Sequence, residues 1–145
     1  MASLLVIAHR PLASALVEAA RHVYSRNPLA ATREMRALDV DPDCEPEAVL
    51  ARARALVAEI DRGGGVLVFT DVLGSTPGNI ATRLAEPGRV EVLAGASVPM
   101  LLRAVCYCGE PLAAVAARAL EGGHRGMESV PAGCAGTNPP GAHGQ

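Results

Sequence analysis

The stretch that decides the fold is Val66–Asn79, VLVFTDVLGSTPGN. Val66–Thr70 runs apolar without alternation, as expected of a strand buried on both faces. It leads straight into Asp71, then into a polar loop holding Gly74, Ser75 and Thr76. Thr76 is placed as an N-cap and Pro77 as the first residue of a helix running to about Ala85. A buried strand, a glycine-containing loop and a capped helix make half of a βαβ unit.

Working outward, Ser3–Ala8 (SLLVIA) is a second continuous apolar run, and it ends at His9. Pro11–Tyr24 carries Leu12, Leu16, Ala19, Ala20 and Val23 at helical spacing. Arg33–Leu38 is more polar and reads as an edge strand, followed by an acidic, proline-containing loop over Asp39–Glu47. Glu47–Asp61 reads as a helix, punctuated by Gly63–Gly65. Arg89–Ala94 reads as a strand, Pro99–Cys106 and Glu110–Glu121 as two short helices, and Arg125–Val130 as a last short strand. Beyond Pro131 the chain is rich in Gly and Pro and poor in core residues, the composition of a disordered tail. The expected organisation is one folded domain over residues 1–130 and a tail over 131–145.

Strands alternating with helices over this length imply parallel pairing, because parallel neighbours need a crossover. The expected fold is therefore α/β: a doubly wound, mostly parallel sheet of order 2-1-3-4, with the short C-terminal strand as an addition. In that order the first and third strands meet at the topological switch point, where ligands bind beyond the carboxyl ends of the strands. The rule singles out the loops opening at His9 and Asp71.

Composition narrows the function. Half of the 145 residues are hydrophobic, enough for a core. Thirteen basic residues, all arginine, stand against fifteen acids, for a net charge of −2, which excludes a generally basic nucleic-acid binder. Phe69, Tyr24 and Tyr107 are the only aromatic residues, too few for a base-stacking platform. No apolar run approaches the ~18 residues of a membrane span, and the start, MASLLVIAHRP, lacks the basic region of a signal peptide. Cys106-x-Cys108 fits neither the zinc nor the redox CxxC spacing, and no metal or cofactor is expected. Reduced thiols fit a cytoplasmic protein.

If the two switch-point loops meet, Asp71 bonds one imidazole nitrogen of His9, fixes the tautomer and makes the other nitrogen a nucleophile. The alternative is a polar loop histidine and an aspartate that only caps a turn. The backbone at Gly74, Ser75 and Thr76, with the positive end of the helix dipole, suits an anion. A nucleophilic imidazole beside an anion cradle is what transient histidine phosphorylation requires. Neither a Walker A motif nor GxGxxG is present, so nucleotide binding has no support. His22, His124 and His143 are expected to be surface residues, since none stands at a strand's carboxyl end.

At this point three segments resemble one family: LLVIAHRPLASAL, VLVFTDVLGSTPGNIA and VEVLAGASVPMLLRAV, in order and spacing, over Ser3 to about Val130. The chain is similar to the mannose-type IIA component of the bacterial phosphoenolpyruvate-dependent sugar phosphotransferase system. The D-x-x-G-[GS]-[ST]-P-x-N and G-x-[NS]-[LV]-P-M-L patterns carry the resemblance. It implies a phosphocarrier in which the residue matching His9 accepts a phosphoryl group on Nε2 from the histidine-phosphocarrier protein and passes it to a IIB component. The aspartate matching Asp71 orients that histidine. The resemblance also implies a homodimer, with Arg125–Val130 packing on the partner subunit. The chain departs from the pattern at Ser75, where the family often has Gly; at Arg10, commonly Gly; and at Leu73, an aromatic residue in some relatives. No IIB or membrane segment is expected to follow, which leaves a regulatory IIA open; the phosphoryl-donor subunit of a dihydroxyacetone kinase and a ligand-binding domain that is never phosphorylated stay open as well.

Overall fold

β1 (Ser3–His9) is buried from Ser3 to Ala8 and emerges only at His9. The computed structural model to which it belongs describes residues 1–133, the side chains of residues 29 and 31 apart. Most of the expected tail, with Cys134 and His143, lies outside the described residues.

The elements after β1 are α1 (Leu12–Val23), a single turn α2 (Pro28–Ala31), β2 (Met35–Val40), α3 (Pro46–Ile60) and β3 (Val66–Thr70). They are followed by α4 (Thr76–Arg83), β4 (Val90–Leu93), α5 (Val98–Tyr107) and α6 (Leu112–Arg125). The four strands form one sheet in the order β2-β1-β3-β4, and every pairing is parallel. The order is the expected 2-1-3-4, and the parallel pairing is the one that the alternation of strands and helices implied.

Side-chain parity divides the core in two. Leu4, Val6, Leu67 and Phe69 pack with α1, α5 and α6 on one face, while Leu5, Ile7, Val66 and Val68 pack with α3 and α4 on the other. Both central strands are buried on both faces, which is why they read as unbroken apolar runs. Each fully buried Leu, Ile or Phe contributes about 1.5–3 kcal/mol relative to exposure.

Three sequence expectations need correction. β2 begins two residues later than Arg33 and runs to Val40, its edge position leaving only Met35, Leu38 and Val40 buried. α6 does not stop before the glycines but runs on to Arg125 and includes His124. Gly122 and Gly123 mark close approach there: a Cβ would come within 2.3 Å of Arg103 Cγ and 2.8 Å of Met100 Cγ respectively. The packing of α6 on α5 thus outweighs the helix-breaking tendency of glycine. Arg125–Val130 accordingly forms no strand in the single chain, and residues 127–130 have no regular structure.

Candidate functional site

β1 and β3 are neighbours, with Ile7 opposite Thr70 at the last rung of their pairing. His9 ends β1, and Asp71 is the first residue beyond β3. The switch point therefore sets them side by side. Asp71 Oδ2 lies 2.6 Å from His9 Nδ1 and also accepts the His9 backbone amide at 3.0 Å. Asp71 Oδ1 accepts the amide of Val72 at 2.8 Å. The main chain is held as well, since the amides of Gly95 and Ala96 donate to the carbonyls of Asp71 and Thr70. The G-x-S turn after β4 thus buttresses the aspartate.

The Asp71 side chain is only 9% exposed, whereas that of His9 is 52% exposed. Burial pushes the Asp71 carboxyl up, but the bonds from the His9 amide, the His9 ring and the Val72 amide outweigh it, and its pKa falls below the usual aspartate value. Asp71 is thus ionised at neutral pH. An ionised carboxylate at 2.6 Å from Nδ1 holds the proton on that nitrogen and leaves the lone pair on Nε2.

The loop that follows is shaped by two glycines. Gly74 has φ +86°, a conformation L side chains rarely adopt. Gly78 lies so close to the loop that a Cβ would come within 2.4 Å of the Val72 carbonyl oxygen. The residue capping α4 is Ser75, not Thr76: its hydroxyl donates to the Val72 carbonyl at 2.6 Å and accepts the Gly78 amide at 3.3 Å. Thr76 is the first helical residue and is exposed, and Pro77 follows it. Sequence alone could not separate two adjacent hydroxyls that are both good caps. Pro77 has no amide hydrogen and Gly78 is taken by Ser75, so the Thr76 amide remains as a helix-start donor without an intrahelical acceptor. Gly74, Ser75 and Thr76 are thus brought into the loop that carries Asp71, at the positive end of α4.

Of the further groups at this edge, Arg10 and Leu73 stood out in the sequence as departures from the family pattern, whereas Asp39 and Asp41 did not. Arg10 Nη1 bonds Asp41 Oδ1 at 3.1 Å, with both side chains largely exposed. Asp39 accepts the Ser14 amide at 3.0 Å and also takes the Ser14 hydroxyl. The signal was available, because Asp39 and Asp41 flank the carboxyl end of β2 and the strand-end rule applies there too. Val72 and Leu73 form an apolar rim, 60% and 65% exposed.

Elsewhere, His22 and His124 lie exposed on α1 and α6. Cys106 is exposed, and the buried Cys108 thiol is pushed up by burial. Among the described residues no group of three His, Cys, Asp or Glu could hold a metal ion, and no helix is long and apolar enough to cross a membrane.

The switch point of this parallel α/β sheet thus presents a half-exposed imidazole beside a largely buried carboxylate. The chain belongs to the EIIA-man family, the PTS system fructose IIA component, whose model matches residues 3–120. No curated protein matches the chain in sequence. Among solved structures, the mannose/sorbose specific IIA subunit of the phosphotransferase system from Enterococcus faecalis superposes with a TM-score of 0.75 at 20% identity. That match covers 89% of this chain and 94% of the other. The phosphotransferase system component EIIA from Streptococcus agalactiae gives 0.73 at 20% identity, over 89% of this chain and 97% of its own. The PTS IIA protein associated with the fucose utilization operon of Streptococcus pneumoniae gives 0.68 at 19%, over 88% and 92%. At such identities the likeness concerns the fold.

Proposed function

We propose that the chain is a phosphocarrier of the sugar phosphotransferase system and that His9 is its phosphoryl acceptor. In the transfer step the Nε2 lone pair of His9 attacks the phosphorus of a phosphohistidine on the donor protein. The new N–P bond forms as the donor's N–P bond breaks, and that electron pair returns to the donor imidazole. The positive character gained by the His9 ring is offset by Asp71. The backbone at Gly74, Ser75 and Thr76, at the positive end of α4, receives the phosphoryl oxygens. The reverse chemistry with an acceptor imidazole or thiolate discharges the carrier.

On this reading the donor is the histidine-phosphocarrier protein, the acceptor is a IIB component, and the setting is the cytoplasm. The carrier domain is residues 1–130. Homodimer formation is part of the same proposal: Met127 and Val130, beyond the end of α6, are 75% and 77% exposed and suit burial against a second copy.

The observation that carries the proposal is the 2.6 Å contact between His9 Nδ1 and Asp71 Oδ2 beneath a ring that is half open to solvent. The test is incubation with phosphoenolpyruvate and the upstream phosphocarrier proteins, followed by intact-mass measurement. Wild type is expected to gain one phosphoryl adduct and His9→Ala none. Labelling of His9→Ala at the wild-type level, or of neither protein, overturns the proposal.

A further inference from the structure

The edge of the sheet opposite His9 holds a cavity of about 180 Å³ lined by Ala20, Arg21, Tyr24, Ser25, Ala30, Arg33, Met35 and Val105. Tyr24 caps the end of α1 and Met35 opens β2, so the cavity sits at the amino-terminal ends of the strands, away from the switch point. Its walls are of two kinds. Ala20, Met35 and Val105 are buried core residues and form an apolar floor. The Tyr24 hydroxyl is already taken by the Leu102 carbonyl at 3.0 Å and by Cys106 Sγ at 2.8 Å, which leaves the ring to present its apolar side.

Arg21 and Arg33 are the two charged residues of the cavity lining. Arg36 and Arg89 bond carboxylates of Glu34 and Asp61, but among the described residues neither Arg21 nor Arg33 belongs to an ion pair. Arg21 Nη2 donates to the Met35 carbonyl, and Arg33 Nη1 reaches only the thioether of Met1. Arg33 Nε is buried and has no hydrogen-bond partner. Arg33 Nε is sealed from solvent and cannot meet a ligand itself, so the remaining guanidinium N–H groups of Arg33 and Arg21 are the donors available to a carboxylate.

We infer that this cavity binds a short-chain aliphatic carboxylate, its carboxylate between Arg33 and Arg21 and its hydrocarbon tail on Ala20, Met35 and Val105. At ~30 Å³ per water in the liquid, the space equals roughly six waters, which suits an acid of about four to six carbons. The site is independent of the chemistry at His9 and would give the protein a sensing input from a small organic acid.

The experiment is titration of the full chain with hexanoate, butyrate and inorganic phosphate, followed by backbone amide NMR shifts. Hexanoate is expected to bind with a Kd tighter than about 10 mM, to shift amides at residues 20–25, 33–35 and 105, and to leave those at 71–76 unmoved. Butyrate binds more weakly, because it covers less of the apolar floor, and phosphate more weakly still. Arg33→Met and Arg21→Met, which keep bulk and remove charge, each weaken hexanoate binding at least about tenfold. Arg21 is exposed, so its variant keeps the fold if Arg33→Met does not. Saturation that is equal in wild type and Arg21→Met, shifts centred on residues 71–76, or no shift at all overturns the inference.

Discussion

One oxygen of Asp71 holds both the main chain and the ring of His9: Oδ2 accepts the His9 amide at 3.0 Å and lies 2.6 Å from Nδ1. The carboxylate therefore fixes where the imidazole is and which of its nitrogens carries the proton. Backbone and side-chain orders are coupled through a single acceptor, so losing it releases both.

Replacing Asp71 by Asn keeps the shape and removes the charge. Phosphoryl acceptance by His9 is expected to slow about 10–100-fold, the usual effect of losing a carboxylate that orients a functional histidine. Loss of charge-assisted bonds lowers stability by about 1–2 kcal/mol. Transfer kinetics and urea unfolding of the same variant check the two parts, and a wild-type transfer rate would refute the orienting role.

Acid stability follows from two aspartates. The Asp71 pKa is lowered as described, and that of Asp61 is lowered by the amide of Gly63 first, against burial, with help from Arg89 and the amide of Gly65. In the unfolded chain both take up protons at the ordinary aspartate value, while the native forms stay ionised to lower pH. Their contribution is complete above the ordinary value and is lost as pH falls through the lowered native ones. Chemical denaturation between neutral pH and pH about 3 should show this decline, with a shallower one in Asp61→Asn. Equal slopes in the two proteins would remove Asp61 from the account.

The cap of α4 separates two neighbouring hydroxyls. Ser75→Ala removes the acceptor of the Gly78 amide and the donor to Val72, and should cost about 1 kcal/mol. Thr76→Ala, at an exposed first helical position, should change stability by less than about 0.5 kcal/mol. Thermal melts of the pair decide it; the reverse ranking would return the cap to Thr76.

Thr70 is fully buried, and its hydroxyl has no hydrogen-bond partner. Thr70→Val keeps the branched shape and removes the unsatisfied group. It is expected to stabilise the protein by about 1 kcal/mol. A lower urea midpoint in the variant would mean that the hydroxyl is in fact satisfied.

Gly78→Ala drives a methyl into the Val72 carbonyl, 2.4 Å away, at a cost of about 1–3 kcal/mol. Gly74→Ala meets no atom within 4 Å and incurs only the left-handed backbone penalty of about 1–2 kcal/mol. The larger loss of helix-loop order, read by amide exchange across residues 72–79, should belong to Gly78→Ala.

The sequence by itself determined what depends on local periodicity and on chain order. Unbroken apolar runs over Ser3–Ala8 and Val66–Thr70 marked strands buried on both faces. Their alternation with helices implied a parallel sheet, and, given the order 2-1-3-4, the strand-end rule pointed to His9 and Asp71. Tertiary structure decided what depends on distance between remote segments. The register of β1 on β3 brings an imidazole and a carboxylate 62 residues apart to 2.6 Å. The packing of α6 on α5 carries the helix past Gly122 and Gly123. The depth of Ser75 in its loop makes it the cap in place of Thr76. Periodicity is a property of neighbours along the chain, whereas register, close approach and the pairing of buried polar groups exist only once the layers have packed.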